Sequence, residues 1–146
     1  MPSVLQEIAQ QFDRIDPIRA KELRRIEQAY ISFCLNDDAA EKPDAPEEST
    51  QHLLRFLSRM ARVKEFRLYP IGVGERDHGR YAHQAIALLD SRHLPTPGNT
   101  LAVLDPVGAA APVMPDQELR QYSFESWRTL QGYYGRGCAL LPINPS

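Results

Sequence analysis

One imidazole and one carboxylate stand out in this chain because of what separates them. His83 opens the stretch His83-Gln-Ala-Ile-Ala-Leu-Leu-Asp90, Asp105 closes the stretch Thr100-Leu-Ala-Val-Leu-Asp105, and a turn-rich loop lies between. Both stretches have the apolar patterning of strands, so together they read as an antiparallel hairpin. Facing residues in a hairpin have numbers of constant sum, and a register setting Leu88 opposite Thr100 also sets His83 opposite Asp105. A carboxylate bonded to one ring nitrogen fixes the tautomer and raises the basicity of the other, as a general base requires. Structural roles stay open for both residues: His83 as a satisfied core histidine, Asp105 as the opener of an Asp-Pro turn.

A thiol would complete such a site. Cys34 falls in the last turn of an expected helix, where the negative end of the dipole disfavours a thiolate, and reads as a small buried hydrophobe. Cys138 follows Gln131-Gly-Tyr-Tyr-Gly-Arg-Gly. The glycines would let backbone amides approach an oxyanion and Arg136 would favour a thiolate, although an ordinary thiol in a loose tail is the competing reading. The spacing of the two cysteines matches no zinc motif, and no metal site is expected. Gly72-Val-Gly74 with Gly79 lacks the spacing of a phosphate loop and leads into a strand, so a flexible connection with an exposed His78 is expected there.

The elements that must position these groups can be traced along the chain. Ser3 and Gln6 form a capping box, and Val4, Leu5, Ile8, Phe12 and Ile15 recur at helical spacing, which predicts a first helix over Val4 to Ile15. Asp16-Pro17 opens a second helix with the apolar stripe Leu23, Ile26, Tyr30 and Phe33. On it Arg19, Lys21, Arg24 and Arg25 are interleaved with Glu22 and Glu27, the pattern of a solvated face laced with ion pairs. Residues 36–48 are acidic and proline-bearing, a linker by composition. Ser49 or Thr50 caps a third helix whose Leu53, Leu54, Leu57 and Ala61 face the core. Strand patterning follows at Phe66, Leu68 and Ile71, then at Tyr81 to Leu89 and Thr100 to Leu104. Asp116 to Tyr122 and Phe124 to Leu130 read as short helices, the second capped by Ser123, and the tail from Gly132 as irregular. The expected fold is α+β in one domain over residues 1–146: a helical pair (1–35), the linker (36–48), and an α+β core (49–146) in which N-terminal helices pack on a small, mainly antiparallel sheet.

With 146 residues and a formal net charge of -2, the chain has no electrostatic footprint for nucleic acid. No apolar run approaches the roughly 18 residues of a membrane span, and the N-terminus lacks the features of a cleaved signal peptide. Two cysteines fit a reduced, cytoplasmic setting. Delivery by a specialised secretion system is compatible with these features.

The order of His, acid at the end of the next strand, then Gln and Cys resembles the adenovirus-protease-like (clan CE) cysteine enzymes. Within them it is most similar to the YopJ-like effector acetyltransferases of plant and animal pathogens. There a His opens a strand ending in an acid, as in His83 to Asp90, and the next strand is aliphatic and ends in an acid followed by proline and a small residue, as in Leu101-Ala-Val-Leu-Asp105-Pro106-Val-Gly108. The resemblance implies His83 as general base, Asp105 as its orienting acid, Gln131 as oxyanion donor and Cys138 as acyl-accepting nucleophile. It further implies acetyl-coenzyme A as acyl donor, a protein substrate and a virulence role; no other cofactor is expected. The sequence departs from the family in the spacing of Gln131 and Cys138, which are separated by six residues where five are usual. It departs again after Cys138, where Pro142 and Pro145 forbid the helix the family's Cys opens. A long C-terminal region, which in the family helps bind acetyl-coenzyme A and inositol hexakisphosphate, does not follow in this sequence. A non-catalytic partner-binding protein of immunity or adaptor type, with the helical pair as its interaction surface, is the rival expectation.

Overall fold

A computed structural model describes residues 3–36, 46–73, 83–105, 121–130 and 138–140. The fold is α+β. Helices α1 (Val4–Phe12), α2 (Pro17–Asn36) and α3 (Pro46–Met60) precede strands β1 (Phe66–Val73), β2 (His83–Asp90), β3 (Thr100–Leu104) and β4 (Gln121–Tyr122), then helix α4 (Phe124–Leu130) and strand β5 (Cys138–Leu140). The five strands lie in the order β4-β3-β2-β1-β5, and each neighbouring pair is antiparallel.

Local chemistry explains the helix boundaries. The Ser3 hydroxyl accepts from the Gln6 amide and the Gln6 side chain accepts from the Ser3 amide, closing the capping box. Helix α1 stops at Phe12, three residues before the expected end. The residue before a proline avoids helical geometry, and the ring of Pro17 would clash with a helical carbonyl four residues earlier. Ile15 is therefore 78% exposed and leaves the apolar stripe. Asp16 caps α2 instead, its carboxylate accepting from the Arg19 amide at 3.2 Å. Ser123 caps α4 through the Ser126 amide in the same way. Helix α3 begins at Pro46, inside the span assigned to the acidic linker; the rest of that linker, His78 and the Gly74 to Gly79 loop lie outside the described residues.

The sheet is covered on both faces, and this is why β2 is apolar at both parities of its alternation. Phe66, Leu68, Ile86, Leu88, Ala102 and Leu104 pack against α1, α2 and α3. Ile71, Ala85, Ala87, Leu89, Val103 and Tyr122 pack on the other side with Trp127 of α4. Two tail assignments change. Tyr122 belongs to a strand rather than to the end of a helix, because Gln121 and Tyr122 pair with Leu104 and Val103 at the sheet edge; the rest of that expected helix, from Asp116, lies outside the described residues. Cys138 to Leu140, expected to be irregular, pair with β1 as β5.

The charged face of α2 also differs from expectation. Arg19, Glu22 and Glu27 are buried, Glu22 to 1% exposure. Glu22 accepts from the amides of Lys64, Glu65 and Phe66 at 2.6, 2.7 and 2.9 Å and so fixes the start of β1. Glu27 accepts from the Ser3 hydroxyl and, at 3.2 Å, from Gln121 Nε2, while Gln121 Oε1 accepts from the Leu5 amide at 3.1 Å. Arg19 reaches Asp16 at 2.6 Å, Glu65 at 3.3 Å and Asp90 at 3.4 Å. A buried charge must be paired or hydrogen-bonded, and these three are. On the outer side of α2, Arg24 pairs with Asp13 at 2.7 Å, and Arg25 lies 3.6 Å from Glu22.

Candidate functional site

Strand register brings the three chemistry-bearing positions to one end of one sheet face. Val73 is paired with His83 across β1 and β2, and also with Cys138 across β1 and β5. Cys138, Val73 and His83 thus form a single row of register positions, since directly paired residues share a face. By alternation this is the face of Ile71 and Ala85, on which Trp127 packs.

Asp105 is on that face too, but not opposite His83. Between β2 and β3, Ile86 pairs with Leu104, Ala87 with Val103 and Leu88 with Ala102, then the register shifts and Leu89 pairs with Thr100. Leu101 is the extra residue of a bulge on β3. Continued past Leu104, this register sets Asp105 beside Ala85, two residues from the expected partner. The physical cause is the bulge together with the 3-10 turn Pro97–Asn99, which consume residues that a plain hairpin count assigns to the ladder. An even shift preserves the face, so His83 and Asp105 are diagonal neighbours, about 7–8 Å apart at their Cα atoms.

The acid itself is fully buried. Its Oδ2 accepts from the indole Nε1 of Trp127 at 3.5 Å. Tyr30 of α2 is an electrostatic neighbour: burial pushes its hydroxyl well above the usual phenol range, and Cys34 and Asp105 add to the effect. Asp105 therefore closes the end of the sheet between the helical layer and α4. Cys34 is half-buried in α2 against the main core.

Cys138 stands farther from His83. One strand intervenes, so its Cα lies two strand spacings from that of His83, about 9–10 Å. It sits on an edge strand and not at a helix N-terminus. Gln131 lies outside the described residues. Among the described residues no group of three His, Cys, Asp or Glu side chains is placed to hold a metal ion, and no helix is long and apolar enough to cross a membrane.

Sequence reasoning missed Trp127 as the partner of Asp105 and missed the buried charges of α2. The first had one signal, a single tryptophan in the chain just after the strand region. The second was on the helical wheel: Glu22 is four residues before Ile26, Arg19 four before Leu23, and Glu27 three before Tyr30, so all three border the apolar stripe. No protein-family profile, no characterised protein and no solved structure matches this chain.

Proposed function

We propose that this chain is an effector-type relative of the clan CE cysteine enzymes that performs acyl transfer, with His83 as general base and Asp105 as its orienting acid. Cys138 is the nucleophile and Gln131 the oxyanion donor of this reading. The observation that carries it is the convergence of the His83, Asp105 and Cys138 positions at one end of one sheet face, two from the β2-β3 hairpin and one from the distant β5. His83 takes the Cys138 proton, and the thiolate attacks the carbonyl of an acyl thioester such as acetyl-coenzyme A. The carbon-sulfur bond to the donor breaks, and its thiolate leaves with the proton held by His83. An amine or hydroxyl of a protein substrate, deprotonated by His83, then attacks the acyl-enzyme and restores the Cys138 thiol. The reading places the protein in the cytoplasm of its producing cell and, after delivery by a specialised secretion system, in that of a target cell.

The deciding experiment is alkylation. Cys138 should react with iodoacetamide faster than Cys34 at neutral pH, and His83→Ala should slow it. Mass spectrometry after incubation with acetyl-coenzyme A should find the acetyl group on Cys138. Reaction at the rate of an unshifted thiol of pKa about 8.5, indifferent to His83, removes the catalytic reading.

A second reading, binding without catalysis, is favoured by a different observation. Ile15, Ile18 and Leu94 are 78%, 67% and 75% exposed. The α1-α2 corner and the end of β2 are joined by Arg19, which reaches both Asp16 and Asp90. Exposed aliphatic side chains on these segments suit a protein partner.

A further inference from the structure

The end of β1 opposite the Val73-His83 pair carries a concavity. An open pocket of about 510 Å³ is lined by Arg25, Met60, Arg62 and Lys64. Three cations, one from the middle of α2 and two from the turn between α3 and β1, thus line one space, and among the described residues no acid lines it. We propose that this pocket binds a compact, multiply charged anion of the diphosphate class.

The cations divide by what holds them. Arg25 is anchored: its Nε donates to the Ala61 carbonyl at 3.1 Å, and its Nη2 lies 3.6 Å from Glu22. That contact caps the C-terminal end of α3 and accounts for Arg25 as a structural residue. It does not account for the other two. Neither Arg62 nor Lys64 has an ion-pair partner among the described residues. Two unpaired cations beside a third, whose one carboxylate partner is Glu22, leave a net positive charge in this space, and an anion in the pocket offsets it.

The backbone accounts for how two of the cations meet. Arg62 has φ 49, the one non-glycine positive φ among the described residues. A left-handed arginine is strained, and glycine or asparagine at that position would relieve the strain. The turn it makes brings the chain round from α3 so that Arg62 and Lys64, two residues apart, both line the pocket beside the anchored guanidinium. Two forks and one ammonium suit phosphoryl oxygens, which accept bidentate and point-charge donors together.

The test uses the full chain and inorganic pyrophosphate at constant ionic strength, followed by calorimetric titration and by the melting temperature. Saturable binding that raises the melting temperature is expected, with orthophosphate weaker by about tenfold. The double variant Arg62→Ala, Lys64→Ala should lose at least about tenfold in affinity, while Arg24→Ala, whose side chain pairs with Asp13 outside the pocket, should bind as the parent does. Arg62→Gly serves as the second variant, because it removes the guanidinium while suiting the backbone; it should fold at least as well and still bind more weakly. No saturable binding, equal affinity for orthophosphate, or an undiminished affinity in Arg62→Gly would overturn the proposal.

Discussion

The indole of Trp127 donates to the carboxylate of Asp105 across a contact of 3.5 Å in which both side chains are fully buried. The acid at the end of β3 thus has a structural partner on α4 whatever its relation to His83. Because Trp127 is the only tryptophan in the chain, its fluorescence reports on this contact without interference.

Asp105→Ala should destabilise the fold by about 1–3 kcal/mol, the cost of leaving a buried indole N–H without its acceptor. Asp105→Asn keeps an acceptor and should cost less. Urea unfolding followed by Trp127 emission checks both, and equal stability of Asp105→Ala and the parent would show that the contact does not hold α4.

Glu22→Ala should cost about 2–4 kcal/mol, since three backbone amides at the start of β1 lose one acceptor group. Glu22→Gln, with one oxygen in place of two, should fall between. Amide hydrogen exchange offers a local readout: protection of Lys64, Glu65 and Phe66 should drop before that of β2.

The acid limb of stability should carry the signature of Asp90. Burial alone would raise its pKa, but the bonds from Arg92 and the charge of Arg19 outweigh it and hold the carboxyl at about 2. A group depressed in the folded state stabilises fully above its unfolded pKa, near 3.8, and that contribution is lost as pH falls through the folded value. The stability gap between the parent and Asp90→Asn should therefore be constant above about pH 5 and shrink between about pH 4 and pH 2. Denaturation at a series of pH values checks the window; a gap that widens on acidification would contradict the pairing.

The two sides of α2 should separate sharply. Leu23 is fully buried and Leu23→Ala should cost about 2–5 kcal/mol, whereas Ile18→Ser, at a largely exposed position, should stay within about 0.5 kcal/mol. Thermal denaturation of the pair distinguishes a core position from a surface one.

What could be read from the sequence was what local chemistry decides. The Ser3-Gln6 box, the Asp16-Pro17 start and the Ser123 cap all act within four residues, and they lie where the sequence places them. The His83 and Asp105 positions on their strands were equally legible, and so was their common face, which depends only on parity. Their exact opposition was not, because a bulge at Leu101 has no distinctive residue type to announce it. The burial of Glu22 and Glu27 was hidden for another reason: their acceptor roles are filled by backbone amides of Lys64 to Phe66 and by the side chains of Ser3 and Gln121, whose proximity only the tertiary fold creates. Strand β5 escaped notice because three residues between glycines and prolines carry no periodicity.

The bulge at Leu101 makes the hairpin tolerant of length. One residue added or removed between Leu94 and Leu101 can be absorbed where the ladder is already interrupted, by enlarging or erasing the bulge. The rungs from Ala102 to Leu104 are spared, because they are set on the far side of that interruption. A change in the length of the loop would then leave the acid at position 105 on its original face, uncoupling the tip of the hairpin from the end where Asp105 meets Trp127.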